Sequence, residues 1–101
     1  GQRQGPVIYY FAGSESGEDM ADIIEDEFEE IYPDEDKVQT MSTITLRELR
    51  RTNAPSVLVE VAYHDNLEDA NWIKNNIRPI ARALSRSLAD YFGIPFVEPM
   101  G

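Results

Sequence analysis

The chain has 101 residues, with 19 Asp or Glu against 9 Lys or Arg and a formal net charge of −10. That length allows one domain at most with a modest core, and the 42% hydrophobic content is ordinary for a globular protein. The acidity argues against nucleic acid as a partner. The lack of cysteine removes disulfides and cysteine–zinc sites, and no apolar run is long enough to span a membrane.

The charge is uneven. Residues 1–36 hold one basic residue (Arg3) and twelve acidic ones, a balance of −11, while residues 37–101 hold eight basic and seven acidic, for +1. The acidic run reads as a solvated helix face that aids solubility. Asp34-Glu35-Asp36 lacks the spaced ligands and central glycine of a calcium loop.

Gly1 to Gly5 is expected to be a polar, mobile lead, after which Pro6 opens a short β run, Val7 to Phe11. Gly13 to Gly17 reads as a loop in which Ser16 caps a helix, with Asp19 at the third position beyond it. That helix is predicted over 17–31, because Met20, Ile23, Ile24, Phe28 and Ile31 recur at helical spacing. Pro33 disfavours helical geometry in the residue before it and ends the helix.

Residues 34–43 read as a loop, and Ile44 to Arg50 leaves a strand and a helical turn both open. Pro55 then starts a strand predicted from Ser56 to Tyr63. Asn66 caps a helix over Leu67 to Lys74, with Asp69 at the third position.

A further helix runs to Phe92, with Pro79 acceptable only in its first turn. Ile77, Ile80, Ala81, Leu84, Leu88, Tyr91 and Phe92 form its expected buried face. Arg78, Arg82 and Arg86 repeat every four residues on the other side, as a solvated stripe or a surface for an acidic partner. Gly93 closes the helix, and residues 94–101 form an extended tail.

One position carries the functional argument. Val57, Leu58 and Val59 precede Glu60, and Val61, Ala62 and Tyr63 follow it. Three apolar residues on each side predict a strand covered on both faces. A carboxylate there is paired, has chemistry to do, or faces solvent from a strand that alternates after all.

The surrounding stretch resembles the C-terminal signature of the type 3 family of zinc-dependent N-acetylmuramoyl-L-alanine amidases, which are cell-wall hydrolases. In that signature Leu-Arg-x-Thr-x-x-Pro leads into a buried strand ending in a glutamate, followed by an aromatic residue and an Asn-initiated helix. The matching residues here are Leu49, Arg50, Thr52, Pro55, Val57 to Val59, Glu60, Tyr63 and Asn66. Two departures are the reduced small–aromatic pair Ala62-Tyr63 and Asp65 where a serine is common.

The resemblance implies an α/β fold: part of a mostly parallel sheet flanked by helices, forming the C-terminal half of a three-layer amidase domain over residues 1–93. It also implies Zn2+ as cofactor, held by two histidines and a glutamate that lie upstream, the last histidine shortly before the strand at Val7. The single histidine here, His64, lies beyond Glu60, so no metal ligand is assigned within this chain.

Glu60 is the implied catalytic base. It would act with a zinc-activated water on the amide bond between N-acetylmuramic acid and L-alanine in peptidoglycan. Arg50 either binds a muropeptide carboxylate or pairs with the acidic helix. His64 either orients substrate or binds metal with Asp65, or is a surface or packing residue, the role a lone histidine after a strand more often has.

The implied location is the cell wall or outside the cell, with a muropeptide as partner and neither membrane nor nucleic acid engaged. The chain alone is expected to be inactive, and either to self-associate or to be unstable unless the missing half accompanies it. The alternative is a non-catalytic module, derived from the same fold, that binds wall material or a partner protein.

Overall fold

The β-branched and aromatic run after Pro6 forms β1 (Val7–Phe11). In the computed structural model the described residues are 4–45, 56–61 and 66–98. Ala12 and Gly13 turn the chain into α1 (Glu15–Glu29), capped by Ser14, whose hydroxyl accepts from the Gly17 N–H at 3.0 Å. The cap is therefore Ser14 and not Ser16, because Ser14 has the extended backbone a cap requires (φ −88°, ψ 104°).

Residues 34–43 do not form the expected loop. A 3-10 turn, Glu35–Lys37, leads into β2 (Gln39–Thr43). β2 lies parallel to β1, with Val7 opposite Gln39 and Phe11 opposite Thr43, as a helical crossover allows.

β3 (Val57–Glu60) lies antiparallel on the other side of β1, giving the order β2-β1-β3. The sheet is thus mixed, and the expectation of a mostly parallel sheet is corrected. β1 and β2 are joined through α1, whereas no helix stands between β2 and β3 among the described residues.

Register assigns the two faces. Ile8 pairs with Thr40 and Val59, and Tyr10 with Ser42 and Val57, facing α1. Val7, Tyr9 and Phe11 face the other way.

Asn66 caps α2 (Leu67–Asn75), its side chain accepting from the Asp69 N–H at 3.1 Å. After Asn76 the chain enters α3 (Ile77–Phe92), with Pro79 in the first turn and Gly93 in the left-handed region closing the last (φ +66°). Ile8 and Phe28 lie fully buried in a core shared by β1, α1, α2 and α3.

The α3 face turned inward is not quite the predicted one. Ile80, Ala83, Ser87 and Ala89 are buried, with Leu84 and Tyr91 partly so, while Ile77, Leu88 and Phe92 are exposed. Ala83 lies in the core with Ile80, and Ser87 satisfies its hydroxyl on the Ala83 carbonyl at 2.7 Å.

Where it is described, the polar lead is hydrogen-bonded to other parts of the chain. Gln4 donates to Glu68 at 2.9 Å and accepts from the Lys37 ammonium at 2.8 Å. The Gly5 N–H donates to the Asp69 carboxylate at 2.8 Å.

Gly5 sits at φ +99°, and a Cβ there would lie 2.9 Å from Lys37 Cβ and closer still to its carbonyl oxygen. Gly13 has a similar φ of +91° but open space around it. Gly13→Ala is expected to cost about 1–3 kcal/mol of backbone strain alone, and Gly5→Ala distinctly more. Chemical denaturation of both variants checks this, and equal losses would remove the steric argument.

Candidate functional site

β3 alternates. Val57 and Val59 pack against the core, while Leu58 and Glu60 are exposed. The predicted two-sided burial is therefore corrected: among the described residues Val57–Glu60 is an edge strand with one inward face, and Glu60 lies on its outward one.

The antiparallel register sets Glu60 opposite Val7 at the start of β1. This is the end of the sheet away from the β1–α1 turn. It is not the carboxyl end of the parallel pair, where open α/β sheets ordinarily bind ligands.

On the same outward face a row of apolar side chains crosses the sheet. Tyr9 stands between Met41 and Leu58 in register, with Met41 47% and Leu58 42% exposed. Glu60 lies next to this row.

Two recesses lie elsewhere. One, of about 390 Å³, is at the carboxyl ends of β1 and β2, where Tyr10 donates to Glu18 at 3.0 Å beside Ser14 and Ser42. That hydrogen bond raises the Tyr10 phenol above its usual range.

The other, of about 640 Å³, lies between the end of α1, α3 and the tail. There Arg82 pairs with Glu98, and Arg86 stacks 4.8 Å from the Phe96 ring centre. The arginine stripe is thus partly engaged by the chain's own tail. Neither recess includes Glu60.

Of the other residues singled out in the sequence, Leu49, Arg50, Thr52, Pro55, Tyr63, His64 and Asp65 lie outside the described residues. Asn66 is a helix cap. Among the described residues no group of three or more His, Cys, Asp or Glu stands close enough to hold a metal. No helix among them is long and apolar enough to cross a membrane.

Sequence reasoning missed Asp69 as anything beyond a helix-start residue. It is 0% exposed, and it accepts from both the Gly5 N–H and the Tyr32 hydroxyl. Burial, and then the bond to Asp69, push the Tyr32 phenol well above its ordinary range.

Residues 1–90 match the family described as N-acetylmuramoyl-L-alanine amidase. The chain belongs to that family.

Solved amidase structures carry the same fold. The CwlD amidase from Clostridioides difficile, in complex with the GerS lipoprotein, aligns with a TM-score of 0.83 at 17% identity, over 91% of this chain and 48% of that one. The catalytic domain of CwlV from Bacillus (Paenibacillus) polymyxa var. colistinus gives 0.74 at 18% identity, over 93% and 51%. AmiC2 of Nostoc punctiforme gives 0.65 at 22%, over 89% and 49%. The chain therefore spans about half the length of these amidases. No curated protein sequence matches it.

The acidic side of α1 shapes the electrostatics away from Glu60. Burial, with Glu18, Asp19 and Asp26 nearby, raises Asp22 above the usual carboxylate range. Glu25 rises likewise through burial and Glu29, and Glu27 through burial and Glu30, with Arg86 pulling Glu27 the other way.

A raised carboxyl pKa means the folded chain holds protons that the unfolded chain has already lost. Stability then falls as pH rises through that range and recovers on acidification. The melting temperature is expected to be higher near pH ~5 than near pH ~8, and added salt is expected to raise it mainly at the higher pH. A melting temperature that drops steadily over the same acidification would show that the α1 repulsion is not felt.

Proposed function

We propose that this chain supplies the general base for hydrolysis of the amide bond between N-acetylmuramic acid and L-alanine in peptidoglycan, in the cell wall or outside the cell. The observation that carries this reading is the register of Glu60. An exposed carboxylate at the end of β3 stands opposite Val7, beside the segment that leads into β1. The family resemblance implies that the last zinc-binding histidine lies shortly before that strand, so the base and that segment meet at one end of the sheet.

The described residues do not fit a zinc cage, and the whole chain has one histidine and no cysteine. The metal's ligands are proposed to lie outside this chain, whose own contribution is the carboxylate. Glu60 takes a proton from the water that attacks the lactyl carbonyl carbon, and delivers it to the alanine nitrogen as the C–N bond breaks. The products are a carboxyl group on the sugar side and a free amine on the peptide. General acid–base assistance of this kind is worth roughly a hundred- to ten-thousand-fold in rate.

In the full-length protein, Glu60→Gln is expected to keep the fold and bound zinc while losing turnover on muropeptides by that factor. Near-normal hydrolysis in the variant would falsify the assignment.

Exposed Met41 and Leu58, flanking Tyr9 in register, support a second part of the proposal: this half of the domain seeks a covering surface. Purified alone, exposed to zinc and dialysed, the chain is expected to retain no stoichiometric metal and to sediment as a dimer or larger. Tight one-to-one zinc would make His64 a ligand, and a compact monomer would count against the half-domain proposal.

A further inference from the structure

Asp69 is a fully buried carboxylate for which the proposed chemistry has no use. Its two oxygens serve two distant parts of the chain: Oδ2 accepts from the Gly5 N–H at 2.8 Å, and Oδ1 from the Tyr32 hydroxyl. Gly5 lies two residues before Val7, and Val7 pairs with Glu60. Asp69 itself sits in the first turn of α2, the helix that follows β3.

These links form one path. It runs from Glu60 across the strand pair to Val7, back through Pro6 to Gly5, and across the hydrogen bond to Asp69.

The path matters because Glu60 is the last residue of β3, an edge strand among the described residues, and strand ends open readily. On the far side of β1, Gln39 donates to the Pro6 carbonyl at 3.1 Å, and the Lys37 backbone presses against Gly5. The start of β1 is thus gripped by β2 and by Asp69. The end of β3 is tied to it through the Val7 pair.

Tyr32 locks the other oxygen of Asp69, and is itself held edge-on against Trp72 at 4.9 Å. A carboxylate with a donor on each oxygen has little freedom to move, and burial in a low-dielectric setting strengthens both bonds.

We propose that Asp69, held by Tyr32, is a positioning residue for Glu60: it fixes the start of β1, and through the Val7–Glu60 pair the end of β3. This rests on the reading of Glu60 as the base. Asp69 acts through the strands and touches no substrate.

The test has two arms, each using Asp69→Ala, Asp69→Asn and Tyr32→Phe. In this chain, amide hydrogen exchange is followed along the β1–β3 ladder and, as reference, in α1 and α3. Asp69→Ala is expected to speed exchange at the Val7–Glu60 end about ten-fold, while the helices change little. Asp69→Asn, whose amide oxygen still accepts from Gly5, is expected to restore most of the protection, and Tyr32→Phe to fall between.

In the full-length protein, kcat per folded molecule is expected to fall roughly ten- to a hundred-fold for Asp69→Ala with KM held. The same order among the variants is expected. Uniform loosening of helices and strands would overturn the proposal, as would unchanged exchange at the strand end or faster exchange with unaltered kcat. If Asp69→Ala does not fold, the two conservative variants decide by the same criteria. Failure of the base reading shows separately, as turnover that survives Glu60→Gln, while the exchange arm still reports whether Asp69 holds the strand end.

Discussion

β1 is the strand on which both other described strands depend, since among them it alone is bonded on both sides. Its alternation sends Ile8 and Tyr10 toward α1 and sends Val7, Tyr9 and Phe11 outward, and register imposes the same division on β2 and β3. Ile8 is fully buried, worth about 1.5–3 kcal/mol relative to exposure. A one-residue slip in β1 would turn it outward, together with everything that follows its register. The location of Glu60 is thus a property of β1 as much as of β3.

Charge and apolar surface are segregated across this small fold. The acidic residues crowd α1 on one side of the sheet, whereas Glu60 is the one charged residue on the outward face among the positions paired in register. Layers in such folds stand roughly 10 Å apart, already beyond the ~8 Å over which physiological salt damps exposed charges. The acidity of α1 therefore does little to repel an acidic partner from the outward face. It keeps the other side solvated.

Much of the architecture was legible because local chemistry announces itself. Asn66, Gly93, Pro79 and the apolar stripe of α1 all do in the structure what their residue types imply. β2 was not legible: Gln-Thr-Met-Ser-Thr has no apolar face, and its pairing with β1 holds it in place. The direction of β3 is a matter of connection and not of residue type, so the sheet's mixed character could not be read. In α3 the large residues Ile77, Leu88 and Phe92 drew attention from Ala83 and Ser87, whose small size suits the approach of α1. Glu60 was found through its apolar flanks, but those flanks also suggested a burial that an edge strand does not provide. Asp69 was recognised for its place near a cap. Its long-range partners at positions 5 and 32 leave no local trace.

The arrangement around Tyr32 has an optical side. The chain's single tryptophan, Trp72, is buried edge-on to Tyr32, and its indole N–H donates to the Ile31 carbonyl at 3.2 Å. Its emission therefore originates beside Asp69, the buried carboxylate that joins the lead-in of β1 to α2. Intrinsic fluorescence from this molecule is a local gauge of that junction before it is a measure of the whole fold.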